Sequence, residues 1–66
     1  MKGPEIKPTV KLIGQDGNAF SVMGHVKNAL RRAGADKEYI DKYLGEATSG
    51  DYDHLLAVSM EYVNVE

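Results

Sequence analysis

A chain of 66 residues with no cysteine has to hold itself together by side-chain packing alone. Small secreted domains commonly lean on disulfides, and thiolates are frequent ligands of structural zinc, so this one missing residue type removes staples, thiolate metal sites and thiol nucleophiles together. A domain of this size buries only about 60% of the surface that its unfolded chain exposes. The core is thin, and the length allows one domain. Enclosing a ligand pocket of about 300–1,000 Å³ would compete for the same few apolar side chains. A cysteine-free composition also fits a reducing compartment, so the expected setting is cytoplasmic. No run approaches the roughly 20 apolar residues of a membrane span, and Met1-Lys2-Gly3-Pro4-Glu5 lacks the apolar stretch of a signal peptide, so neither is expected.

Charge is distributed unevenly along the chain. Residues 1–37 hold seven basic and three acidic side chains, whereas residues 38–66 hold one basic and seven acidic, for a formal net charge of −2. In a domain this small the two halves must pack on each other. The opposite charges are therefore expected to make the packed fold electrostatically consistent rather than to mark a nucleic-acid surface.

Local patterns divide the chain into short elements. Residues 1–8 carry Pro4, Pro8 and Gly3 with no apolar period, and read as a flexible lead-in. Thr9 to Ile13 alternates, with Val10 and Leu12 on one face, as a half-buried strand does. Its partner could be a hairpin return through Asp16-Gly17 or the alternating tail Tyr62-Val63-Asn64-Val65. The tail is favoured, because Phe20 falls on a helical stripe. After Asn18, a good N-cap, Ala19, Met23, Val26, Leu30 and Ala33 recur at helical spacing, flanked by Phe20, Val22 and Ala29. Ser21, His25, Asn28 and Arg32 form the polar side. Gly34 supplies the stop, and Arg31 and Arg32 sit in the last turn, where the helix dipole favours cations. Gly24 weakens this helix by roughly 0.8–1 kcal/mol relative to alanine, and a close helix crossing is expected to account for it.

Asp36 caps a second helix, with Ala35 and Ile40 placed as a hydrophobic staple. Ile40, Leu44 and Ala47 are expected to face inward, and Tyr39 and Tyr43 to lie at the rim with wet hydroxyls. Thr48-Ser49-Gly50 breaks that helix. Asp51 starts a third, in which Tyr52, Leu55, Leu56, Met60 and Val63 form the apolar stripe. Connections this short make consecutive helices neighbours. The expected fold is mainly α with a small β component: a three-helix bundle over residues 9–66, preceded by a short strand that can pair with a C-terminal one.

The groups that could carry chemistry do not converge. Ser21 and His25 lie one turn apart, but nothing in the sequence supplies an orienting acid or oxyanion donors. Asp51, Asp53 and His54 miss the calcium-loop pattern, because Leu55 and Leu56 fall where an oxygen ligand and a glycine belong. Helix capping accounts for both aspartates. Gly14-Gln15-Asp16-Gly17 resembles phosphate-clamping loops only in its glycines, since Asp16 would repel an anion. Against a helix-turn-helix, the helix starting after Asp51 carries no Lys or Arg at all. No catalytic residue, cofactor or metal is expected.

Two resemblances add to this. Asp16-Gly17-Asn18-Ala19-Phe20 and Ala47-Thr48-Ser49-Gly50-Asp51-Tyr52-Asp53-His54-Leu55-Leu56 are similar to segments of a family of short uncharacterised bacterial and phage proteins, which implies a prokaryotic or phage origin and no activity. Met23-Gly24-His25, with Ala29-Leu30-Arg31-Arg32-Ala33-Gly34 and Ile40 to Leu44, resembles the ubiquitin-associated domain, a three-helix module with a Met-Gly-aromatic loop. Here histidine replaces the aromatic residue, and the apolar stripe runs through the Met-Gly pair instead of breaking at it. The functional expectation is a non-catalytic protein-interaction module, with a homodimer as one form its partner could take. Arg31, Arg32, Tyr39 and Tyr43 are the expected contact residues, because arginine and tyrosine concentrate at interface hot spots. The alternative is a nucleic-acid-associated regulator using the basic end of the first helix.

Overall fold

Three short polar side chains start three helices. Asn18 accepts from the Phe20 N–H at 2.8 Å, Asp36 from the Tyr39 N–H at 2.9 Å and Asp51 from the His54 N–H at 2.9 Å. Each satisfies a backbone donor that the helix itself leaves free. In the computed structural model, which describes residues 1–11 and 18–66, these caps open α1 (Ala19–Arg32), α2 (Lys37–Ala47) and α3 (Tyr52–Tyr62). A strand β1 (Thr9–Val10) precedes them and a strand β2 (Asn64–Val65) follows. The protein is a three-helix bundle with a short strand pair.

The end of α1 is closed by Gly34, whose φ of 100° suits glycine. Its N–H donates to the Arg31 carbonyl at 3.1 Å and the Ala35 N–H donates to Leu30 at 3.0 Å. This is the paired bonding of a Schellman motif, and the buried contact that accompanies it joins Ala35 to Leu30 within the core. Gly24 is different. A Cβ added there would meet nothing within 4 Å, so no crossing helix explains it.

Both candidate partners for the first strand were plausible on pattern, and the tail takes the place. β1 and β2 run parallel, with Thr9 opposite Asn64 and Val10 opposite Val65. The Asn64 N–H donates to Pro8 O at 2.8 Å and the Glu66 N–H to Val10 O at 2.9 Å. A parallel pair requires a crossover, supplied here by all three helices. Tyr62 ends α3 instead of starting the strand. Leu12, Ile13 and the Gly14–Gly17 turn lie outside the described residues. The lead-in is not loose: Asp36 N–H donates to Lys2 O at 2.9 Å, Lys2 N–H donates to the Asp36 carboxylate at 2.7 Å, and Glu5 N–H donates to Ala33 O at 3.1 Å. Short backbone bonds to the α1–α2 connection hold it where no apolar period could have announced it.

The core comprises Val22, Val26 and Leu30 of α1, Ile40, Tyr43 and Ala47 of α2, and Leu55, Val58, Ser59 and Tyr62 of α3, closed by Val10, Ala35 and Val63. Two faces are turned from the expected ones. On α2, Tyr43 is buried while Leu44 is half-exposed; on α3, Ser59 is buried while Met60 is 57% exposed. Tyr43 and Ser59 satisfy each other's hydroxyls, which makes their burial tolerable and rotates both helices toward that pair.

Among the described residues, the ion pairs join the Met1 α-ammonium to Asp36 at 4.0 Å and Glu38 at 3.8 Å, and none joins two side chains. The bundle is held by apolar packing and hydrogen bonds. The separated charges remain on its surface.

Urea denaturation should separate the two readings of α3. Leu30→Ala empties the centre of the core and is expected to cost about 2–5 kcal/mol, whereas Met60→Ala should stay within about 0.5 kcal/mol, as exposed substitutions do. A large loss at Met60 would show that the stripe expected from periodicity is the packed face.

Candidate functional site

The four expected contact residues do not form one surface. Tyr43 is fully buried. Its hydroxyl lies 2.8 Å from Ser59 Oγ, and Ser59 Oγ donates to Leu55 O at 2.8 Å. Serine has a single hydroxyl hydrogen, so Tyr43 is the donor of the pair. Burial pushes the Tyr43 hydroxyl above its ordinary pKa. Tyr39 is half-buried: its ring lies edge-on to Tyr62 at 5.4 Å, and a Cβ on Gly3 would come within 2.9 Å of it. Only Arg31 and Arg32, at the end of α1, stand exposed.

Tyr62 completes an aromatic cluster between α2 and α3, its ring 5.1 Å from that of Tyr43 at 63°. Edge-to-face contacts of this kind add roughly 0.5–1.5 kcal/mol beyond burial. The Tyr62 hydroxyl donates to the Glu46 carboxylate. Burial, then that bond and the Glu46 charge, push it far above the ordinary tyrosine range. These rings are the structural joint of α2 and α3.

His54, considered as a metal ligand with Asp51 and Asp53, is used locally. Its Nε2 lies 2.9 Å from the Glu46 carbonyl, which can only accept, so Nε2 carries the hydrogen. Ser49 Oγ donates to the same carbonyl at 2.7 Å and lies 3.1 Å from Nε2. Gly50 lets the ring in, since a Cβ there would lie 2.7 Å from it. Asp51 is occupied as a cap. Among the described residues no group of three or more His, Cys, Asp or Glu side chains is placed to hold a metal ion. No described helix is long and apolar enough to cross a membrane. Ser21 and His25 share no hydrogen bond, and His25 instead borders a cavity beside β1.

The surface that periodicity missed lies at the opposite end of α1 from the arginines. Phe20 is 81% exposed and Tyr52 40% exposed. With Met23, Leu55 and Ala47 they line an open groove of about 280 Å³ between the starts of α1 and α3 and the end of α2. Its polar margin includes Thr48 and Asp51, with Asp53 in the first turn of α3. Ala19 and Phe20 of α1 meet Thr48, Gly50 and Tyr52 here. The signal was present in the sequence as an aromatic residue at the edge of its stripe, two positions after an N-cap. The Met23-Gly24-His25 run lies in the middle of the continuous helix α1. No protein-family model, curated protein or solved structure matches the chain.

The buried hydroxyl pair yields an asymmetric expectation. Tyr43→Phe leaves Ser59 bonded to Leu55 and should cost about 1 kcal/mol, while Ser59→Ala strands the Tyr43 hydroxyl and should cost about 1–3 kcal/mol. Equal losses in urea denaturation would contradict the assigned donor. The raised tyrosines also set an alkaline limit. The folded state favours their neutral forms, so this stabilisation is complete below the unfolded tyrosine pKa of about 10 and is lost as pH climbs from there through the folded values. Tyr62→Phe should flatten the decline in stability above pH 10, measured by chemical denaturation across pH.

Proposed function

We propose that this chain is a small non-catalytic protein-interaction module whose contact surface is the Phe20 groove rather than the tyrosines of α2. The observation that carries this reading is Phe20 itself, a large apolar ring left 81% exposed by a domain with few apolar side chains to spare. The groove beside it is open, has an apolar floor and is small enough to take one or two side chains. Its margin holds the Asp51 carboxylate, Asp53 follows in the first turn of α3, and α3 has no Lys or Arg. The partner is therefore a protein segment presenting an apolar side chain next to a lysine or arginine. A cysteine-free chain suits a reducing, cytoplasmic setting for such a contact. Arg31 and Arg32 lie about 20 Å away along α1 and belong to a different surface.

Photocrosslinking tests the assignment. A benzophenone amino acid placed at position 20, and separately at position 39, is exposed to lysate of the native host. A specific adduct is expected from position 20, suppressed by excess unlabelled wild-type chain and not by a Phe20→Ser chain, whose stability should change by no more than about 0.5 kcal/mol. Adducts from position 39 alone, or equal competition by Phe20→Ser, would overturn the reading. An adduct of twice the chain's mass identifies the partner as a second copy.

A further inference from the structure

We infer that the cavity between β1 and the outer face of α1 is a site for linked phosphate groups, the chemistry of a diphosphate. It is independent of the Phe20 groove. The cavity, about 250 Å³, is bordered by Thr9 and Lys11 on the strand side and by His25, Asn28 and Arg32 on the helix side. The three helix residues follow each other at intervals of three and four, so they share one face. Together they extend along about 10 Å of helix. Every described polar side chain around the cavity can donate a hydrogen bond, and none of the described carboxylates lines it.

The surrounding charges give this weight. The chain holds ten acidic residues and a net charge of −2, yet none of the carboxylates forms an ion pair with Lys11 or Arg32 among the described residues. Two acids touch these elements through their backbones. Glu66 donates its N–H to Val10 and Glu5 donates its N–H to Ala33, but neither lines the cavity. Lys11 and Arg32 thus border one space, and no described carboxylate pairs with either. Lysine meets phosphate as a point charge, and arginine as a planar fork that can bind two oxygens at once. Donors spread over about 10 Å suit an elongated anion better than a single compact one. Among the described residues no aromatic ring lines the cavity, so a base would find no stacking platform there, and the negative net charge further disfavours a nucleic-acid strand.

Two-dimensional NMR of the ¹⁵N-labelled full chain at low salt decides the matter, with inorganic pyrophosphate, adenosine diphosphate and a single-stranded DNA oligomer as separate probes. Pyrophosphate should produce a saturable, one-site shift centred on Lys11, His25, Asn28 and Arg32. Lys11→Ala and Arg32→Ala should each weaken it about tenfold, the equivalent of one charge-assisted hydrogen bond. Arg31→Ala, exposed but outside the cavity, should leave it unchanged. Tighter binding of adenosine diphosphate at the same residues assigns a nucleotide as the source of the phosphates, and weaker binding assigns the inorganic ion; both support the site. Absence of a saturable shift, an equal loss in Arg31→Ala, or DNA binding that pyrophosphate does not displace would overturn it.

Discussion

A tyrosine hydroxyl placed where water cannot reach is the constraint around which this bundle is arranged. Tyr43 and Ser59 are both fully buried, and each would be costly alone. Facing each other, they form a chain of bonds from the Tyr43 hydroxyl through Ser59 to the Leu55 carbonyl. Because such a chain has narrow geometric tolerance, it sets the rotation of α2 against α3, and Tyr39 and Tyr62 then pack edge-on around it. A core this small has little apolar area with which to specify a single arrangement, so a satisfied polar pair at its centre adds directional information that leucines would not.

How much of this could be read in advance depends on whether the cause was local. The three caps, the Gly34 stop and the return of the tail to the first strand were all legible, because each rests on the chemistry of neighbouring residues or on a period-two pattern. The rotation of the helices was not. Counting apolar positions favoured Leu44 and Met60, and nothing in the sequence near Ser59 reveals that a tyrosine sixteen residues earlier will cap its hydroxyl. The docking of residues 2–5 was hidden for a related reason: it uses backbone groups, which every sequence possesses. The burial of Tyr43 was hidden in the same way, since it looks like a rim residue only while its partner is unknown.

Helix α1 carries three unlike duties on one cylinder. Val22, Val26 and Leu30 face the core, Phe20 stands exposed at its start, and His25, Asn28 and Arg32 border the cavity beside β1. The described charged side chains of both halves stay outside the buried core. That leaves an apolar groove with Asp51 at its margin at the end of the bundle and a hollow bordered by Lys11 and Arg32 on its flank.

The parallel pairing of β1 with β2 also has a mechanical meaning. Entry into the first strand and exit from the second lie at opposite ends of the pair, so tension applied through the flanking chain slides the strands along each other instead of peeling them apart. The bonds made by Asn64 and Glu66 then share the load together. The helices sit inside the loop that this clasp closes, and a pull on the first strand from its N-terminal side also loads the bonds of Lys2 and Glu5 to the α1–α2 connection.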